Sequence, residues 1–112
     1  MNAAVEAAQR AFVTYSKISP RVRSRYLHKW AALIQENKND LAKIITYENG
    51  KPLAESLAEL DYAYNAAWWF AGEADRIQGT VFDSSTPSKK VMTIKQPIGV
   101  VAALVPWNFP VA

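Results

Sequence analysis

The most restrictive feature of the sequence is an uninterrupted apolar run from Ile98 to Val105, which carries no charged side chain. A strand with one face in water alternates apolar and polar residues, whereas a strand that is covered on both faces does not. The run therefore predicts a strand buried on both faces, as in the parallel sheet of an α/β protein. Such a strand needs neighbouring strands and covering helices.

Only seven residues, 106–112, follow this run in the sequence. The predicted helices that precede it could cover one face of a sheet at most. Because a central strand with an open edge and an open apolar face is unusual, we expect the sequence to be the N-terminal part of a longer α/β protein. The C-terminal end is then a truncation or a misplaced boundary.

The residues before Gly79 are patterned as helices. Helix-favouring composition, an N-cap followed by proline, and a glycine stop mark their ends. The predicted helices cover residues 3–15, Ser19-Pro20 to about Asn37, Asn39-Asp40 to Gly50, and more than twenty residues from Pro52. Their predicted apolar faces are Val22, Tyr26, Trp30, Leu33 and Ile34, then Leu41, Ile44 and Ile45, then Leu53, Leu57, Leu60, Tyr64, Ala67, Ala71 and Ala74.

After Gly79 the periodicity changes. Residues Thr80–Phe82 are β-prone, residues 83–90 (DSSTPSKK) have the composition of a loop, and Val91–Lys95 alternates. This order predicts a hairpin or two adjacent antiparallel strands.

Composition excludes several kinds of chemistry. The chain has no cysteine, so these residues alone form no disulfide, thiolate zinc site or cysteine nucleophile. His28 is the only histidine, and no second ligand is spaced to join it, so no metal site is predicted. A formal net charge of +3 is too mild to require a nucleic acid or an anionic membrane. The start lacks a signal peptide, and no window is apolar enough for a membrane span, so a soluble intracellular protein is expected.

Three clusters of side chains have both a structural and a functional interpretation. The stripe Arg21, Arg25 and Lys29 resembles a nucleic-acid surface but fits a solvated helix edge better, because Tyr26 and Trp30 belong to the apolar face. The second cluster is Glu55, Glu59 and Asp61, which we expect to form a solvated or lightly hydrogen-bonded acidic face. The third is Trp68, Trp69 and Phe70, which we expect to pack in the core or at an interface.

Asn108 is the candidate catalytic residue. It lies between two aromatic residues and two prolines, just after the carboxyl end of the predicted strand, where ligands bind in open α/β sheets. A carboxamide N–H in such a desolvated place can stabilise a developing oxyanion. The alternative is a turn asparagine that hydrogen-bonds its own backbone.

The segment KQPIGVVAALVPWNFP, residues 95–110, resembles the aldehyde dehydrogenase superfamily. The upstream helices agree along nearly the whole chain, with the E-x-G-K-P order at Glu48, Gly50, Lys51 and Pro52. The sequence segments KPLAES and KQPIGV are most similar to those of the succinate-semialdehyde dehydrogenase branch. A non-catalytic helical module that docks a partner through its apolar end is the alternative from another class.

The resemblance implies an α/β fold in which N-terminal helices pack on the start of a Rossmann-like NAD(P)-binding domain. It divides the chain into a helical part of that domain at 1–78, a β-hairpin arm for oligomerisation at 79–97, and the first strand with the catalytic turn at 98–112. The full-length protein would be a dimer or tetramer in the cytoplasm, with the mitochondrial matrix left open.

The resemblance also implies a mechanism. A cysteine thiolate attacks the aldehyde, the Asn108 amide and a backbone N–H hold the oxyanion, hydride passes to NAD or NADP, and a glutamate-activated water releases the acid. Val105, Pro106, Trp107 and Asn108 match the segment that lines the cofactor cleft. The family's cysteine and glutamate fall beyond Ala112, so we expect these residues alone to be inactive.

Overall fold

The structure is a computed structural model that describes residues 2–112. Its elements, in chain order, are α1 (Asn2–Tyr15), α2 (Pro20–Glu36), α3 (Lys38–Asn49), α4 (Leu53–Glu73), a 3₁₀ turn (Ala74–Arg76), β1 (Val81–Asp83) and β2 (Lys90–Met92). The chain divides into two units. One contains residues 2–18 and 76–102, and the other contains Ser19–Asp75 and Ala103–Ala112.

The helix boundaries follow the predicted local signals closely. Ser19 caps α2, where its hydroxyl accepts a hydrogen bond from the backbone N–H of Val22 at 3.4 Å, and Pro20 takes the first helical position. Gly50 ends α3 with a left-handed φ of 84°, and its N–H donates to the carbonyl of Thr46 at 2.9 Å. The fourth helix has 21 residues, as expected from its long apolar repeat.

The core of the second unit lies where α4 packs against α2 and α3. It consists of Ile34, Ala42, Ile45 and Leu60, bordered by Leu41, Leu57 and Tyr64. Most of the predicted apolar face of α4 is buried, including Leu60, Ala67 and Ala71, whereas Leu53 is 47% exposed. The 3–4 spacing therefore predicted the buried side of this helix correctly.

The predicted apolar face of α2 is largely wrong. Tyr26, Trp30 and Leu33 are each about half exposed, and the buried positions are Ser24, Ala31 and Ile34. The side of α4 that is buried is itself rich in alanine, so small side chains on α2 let the two helices approach closely. The bulky side chains of α2 are therefore turned away from this contact. The following side chains, also predicted to be packed, are 51–60% exposed: Ile44, Trp68, Trp69 and Phe70.

In the first unit, β1 and β2 form the predicted antiparallel hairpin, with Phe82 opposite Val91. Beyond the strands, the N–H of Thr80 donates to the Thr93 hydroxyl and the N–H of Thr93 donates to the Thr80 carbonyl, both at 2.9 Å. A Cβ on Gly79 would lie 1.9 Å from the Thr93 carbonyl oxygen, so this close approach requires glycine. The second strand ends at Met92, earlier than the predicted Lys95.

The strand predicted over Ile98–Val105 is absent from the described residues, and this part of the prediction is wrong. Residues 98–106 follow an irregular path, with Ile98 93% and Leu104 99% exposed. A strand is held by hydrogen bonds to a neighbouring strand, and within residues 2–112 no strand pairs with this segment. The described chain is thus mostly helical with one small antiparallel hairpin. None of its described helices is both long and apolar enough to cross a membrane.

Candidate functional site

The turn at Trp107 and Asn108 belongs to the second unit, where side chains from α3 and from the connection between α3 and α4 hold its main chain. The side-chain amide of Asn49 donates to the Trp107 carbonyl at 3.0 Å. The ammonium of Lys51 donates to the Asn108 carbonyl at 2.7 Å. Two consecutive carbonyls of the turn are therefore fixed from the same part of the fold.

Glu59 of α4 holds the residues that follow the turn. Its Oε1 accepts hydrogen bonds from the backbone N–H groups of Val111 at 2.8 Å and Ala112 at 3.3 Å. Its Oε2 pairs with the Lys51 ammonium at 2.5 Å. The Lys51 and Glu59 side chains are only 11% and 1% exposed, so this ion pair is almost completely withdrawn from water. We call the pair the Lys51–Glu59 clasp.

The clasp follows from local sequence. Gly50 ends α3 in a left-handed turn, and Pro52 restricts the residue before it to extended backbone, so Lys51 lies in a short connection between two helices. Glu59 is on the buried side of α4, one residue before Leu60 and three after Ser56. The Lys51 ammonium also lies 4.7 Å from the ring centroid of Phe109, within range of a cation–π interaction.

The charge state of Glu59 reflects competing effects. Burial raises the pKa of its carboxyl group, whereas hydrogen bonds from Lys51 and from the backbone of Val111 and Ala112, together with the Lys51 charge, lower it. The lowering effects prevail, so the pKa lies below the ordinary value and Glu59 is ionised at neutral pH. Every buried side-chain polar atom in the described part of the chain has a hydrogen-bond partner.

The prediction of a solvated acidic face is wrong for Glu59 and holds for its neighbours. Glu55 is exposed, and Asp61 is half exposed and pairs with Lys38 at 2.6 Å, a hydrogen bond that lowers the pKa of Asp61. The signal that could have identified Glu59 is its place among the buried positions of α4, since ionised side chains are rarely buried without a partner.

The four residues predicted to form the site, Val105 to Asn108, are all exposed in this chain. No hydrogen-bond partner for the Asn108 side-chain amide is present within residues 2–112, so the self-bonded turn asparagine is not what the structure contains. Asn108 borders an open cleft of about 540 Å³. The other residues lining the cleft are Asn49, Lys51, Glu55, Ala58, Glu59, Tyr62 and Phe109.

The remaining sequence candidates are not among the residues that line the cleft. Arg21, Arg25 and Lys29 are exposed on α2, as expected for a solvated edge, and Arg21 pairs with Asp75 at 3.0 Å. His28 is also exposed. No group of three or more metal-ligating side chains occurs in residues 2–112.

Comparison with known proteins identifies the family. The sequence profile of the aldehyde dehydrogenase family matches residues 1–112. The chain belongs to the aldehyde dehydrogenase family. Among curated members, it is 47% identical over 109 residues to a glutarate-semialdehyde dehydrogenase of Pseudomonas putida. It is 44% identical over 110 residues to the NADP(+) succinate-semialdehyde dehydrogenase of Escherichia coli K12.

Similarity to this family extends to the fold. The crystal structure of a succinate-semialdehyde dehydrogenase from Burkholderia pseudomallei superimposes with a TM-score of 0.88 at 42% identity, over 96% of this chain and 22% of that one. The two curated relatives are matched over 97% and 98% of this chain and 23% of their own length. The chain thus spans about a quarter of the length of these aldehyde dehydrogenases.

Proposed function

We propose that residues 1–112 are part of an NAD(P)-dependent aldehyde dehydrogenase that oxidises succinate semialdehyde to succinate, and that Asn108 is its oxyanion donor. Family membership and the names of the relatives support this proposal. In the overall reaction the aldehyde loses a hydride and water supplies the new oxygen; one proton is released in this oxidation and a second when the acid ionises. When bound, the oxidised nicotinamide accepts the hydride.

The observation that carries the proposal is the state of Asn108. Its carbonyl is held by Lys51, while its side-chain amide has no partner among the described residues. An oxyanion donor needs this combination of a fixed backbone and an available N–H, because the group must be oriented before charge develops. A neutral amide also costs less to desolvate than a charged group.

Val105, Pro106 and Trp107 fit a cofactor as an apolar wall. The side chains of Val105 and Trp107 are 76% and 83% exposed and available for contact. The Trp107 carbonyl is already occupied by Asn49, and the sequence contains no glycine-rich phosphate loop. These residues therefore suit the flat nicotinamide end of NAD or NADP, and phosphate binding would require residues of another part of the protein.

Asn108→Ala in the full-length enzyme tests the catalytic role. We expect kcat to fall by about 10²–10³, the usual loss for one oxyanion donor. The dissociation constant for NAD(P) should change little, because the amide would face the substrate oxygen. Asn108→Asp should be at least as harmful, since a carboxylate repels an oxyanion. Wild-type kcat and an unchanged acyl-enzyme burst in Asn108→Ala would contradict the role.

Substrate and cofactor are tested by ratios of kcat/KM. We expect succinate semialdehyde to exceed glutarate semialdehyde, and the same assay with NAD and NADP identifies the cofactor. A preference for the five-carbon semialdehyde would correct the substrate without affecting the family. Failure to oxidise either would overturn the proposed branch.

We further propose that the hairpin within residues 79–97 is an arm that contacts another subunit in an oligomer. Residues 1–78 and 98–112, which flank it in the sequence, would both belong to the cofactor-binding domain. Every residue of both strands is exposed in this chain, including Val81 at 67% and Met92 at 70%, and such surfaces favour contact with another chain. Light scattering should show a dimer or tetramer of the full-length protein, and a monomer would contradict the proposal. Fractionation should place the protein in the cytoplasm or the mitochondrial matrix.

A further inference from the structure

The residues 98–112 contain no charged side chain, yet the turn within them is held mainly by charged groups. These groups come from the α3–α4 connection and from α4. Lys51 uses its ammonium for three contacts: the Glu59 carboxylate, the Asn108 carbonyl and the Phe109 ring. Two of the three ammonium N–H donors of Lys51 are therefore engaged within the fold, and its side chain is only 11% exposed, so little of this cation is accessible to an anionic ligand in the neighbouring cleft.

A buried ion pair is weak evidence of a stabilising device, because desolvation of both charges offsets much of their attraction. Its clearest use is to specify one arrangement among several. The arrangement specified here is that of a main-chain segment. The Lys51–Glu59 clasp bonds the carbonyl of residue 108 and the N–H groups of residues 111 and 112 simultaneously.

These bonds act on the residue that the proposed function requires to be oriented. With the Asn108 carbonyl fixed and the backbone after Pro110 anchored, the position and direction of its Cα–Cβ bond are set. Only the two side-chain torsions then remain to aim the amide. Asn49 fixes the preceding carbonyl, so the peptide unit between Trp107 and Asn108 cannot turn over freely.

We propose that Lys51 and Glu59 are positioning residues that hold the Asn108 amide in its catalytic orientation. This inference rests on the proposed function of Asn108. The clasp acts through the backbone of residues 108–112, because all of its hydrogen bonds to this segment go to main-chain atoms. Its loss therefore lowers the rate of the chemical step while leaving the affinity for both ligands nearly unchanged.

The test uses Lys51→Met and Glu59→Ala in the full-length enzyme. Lys38→Met is the matched control, because Lys38 also forms an ion pair with α4, through Asp61, but has no contact with the turn. We expect Lys51→Met to lower kcat by about 10- to 100-fold, the scale of a displaced catalytic group. The KM for aldehyde and the NAD(P) dissociation constant should change by less than about twofold. Lys38→Met should stay within about twofold of wild type in all three.

A double-mutant cycle separates positioning from general damage. If the clasp acts through Asn108, Lys51→Met/Asn108→Ala should have the same kcat as Asn108→Ala alone. If the clasp only stabilises the fold, the two losses should multiply. Lys51→Arg, which keeps the charge, should recover part of the kcat lost in Lys51→Met, and no recovery together with multiplied losses overturns the inference.

Hydrogen exchange provides a readout that does not depend on catalysis. Glu59→Ala, which removes the acceptor oxygen, should accelerate amide exchange at Val111 and Ala112, and unchanged exchange overturns the positioning role whatever the kinetics show. A normal kcat in Asn108→Ala refutes the oxyanion role itself. A low kcat in Asn108→Ala with multiplied losses in the double variant refutes only the positioning role, so the two failures are distinguishable.

Discussion

Residues 98–104 and residues 107–112 are two stretches of similar composition with different structural roles. Both lack charge, and most of their side chains are exposed. Within the described chain the main chain of 98–104 has no hydrogen-bond partner, whereas 107–112 is bonded by Asn49, Lys51 and Glu59. The difference shows that the main chain of an uncharged segment can be hydrogen-bonded by side chains far away in sequence, two of which here are charged.

Glu59→Ala is the strongest test of this comparison, because it should make residues 107–112 resemble residues 98–104. Removing the anion leaves the Lys51 ammonium buried without its partner, so we expect a loss of about 3–5 kcal/mol in the free energy of unfolding. Asp61→Ala should cost at most about 1 kcal/mol, because its ion pair is exposed. Urea unfolding followed by tryptophan fluorescence measures both, and equal losses would show that the clasp is an ordinary surface pair.

Acid should selectively release residues 107–112 from their hydrogen bonds to Glu59. Because folding lowers the pKa of Glu59, its contribution to stability is complete above the ordinary carboxyl pKa of about 4.3 and is lost as the pH falls through the lowered value. The stretch 98–104 has no titratable side chain and should not respond. NMR titration of the Val111 and Ala112 amides measures the effect, and Glu59→Gln, which cannot ionise, is the control. Identical acid responses in both proteins would contradict this assignment.

Residues 98–104 should instead determine whether this chain self-associates. Ile98 and Leu104 are almost fully exposed in this chain, so we expect residues 1–112 alone to be poorly folded or to self-associate. Leu104→Asn should shift sedimentation of this chain towards the monomer with little change in helix content. A compact, cooperative monomer of the unaltered chain would refute the expectation.

The smallest effect is expected at exposed cations, in contrast to the buried Lys51. Replacing Arg21, Arg25 and Lys29 together with Gln should change stability by at most about 0.5 kcal/mol per site. The triple variant should bind DNA as poorly as the wild type. Micromolar, salt-sensitive DNA binding by the wild-type protein would mean that this helix edge is a nucleic-acid surface.

Local signals in the sequence predicted the boundaries of the structure well. Ser19 with Pro20, and Gly50, act through atoms within four residues of themselves, so their roles follow from neighbouring residues. The hairpin likewise depends on contacts between residues close in sequence. These elements were predictable because the interactions that define them are short-range.

Features that depend on distant partners were not predictable in the same way. The burial of Glu59 requires Lys51 and the amides of Val111 and Ala112, more than fifty residues further along the chain. The strand over Ile98–Val105 requires neighbouring strands, which the described residues do not contain. Asn108 became a candidate through its position after the predicted strand and through family resemblance, while the side chains that hold its backbone emerged only from the folded structure.

Because the buried side of α4 is rich in alanine, the position of this helix is sensitive to the size of the side chains on that side. Ala71 lies twelve residues from Glu59 along one continuous helix, a separation of about 18 Å at 1.5 Å per residue. A helix of this length transmits a tilt rigidly, and a seam of fully buried alanines cannot absorb an added side chain without moving the axis. Adding a single methyl group to the side chain of Ala71 would thus tilt α4. The tilt would also displace the other end of the helix, where the Glu59 carboxylate bonds the main chain of Val111 and Ala112.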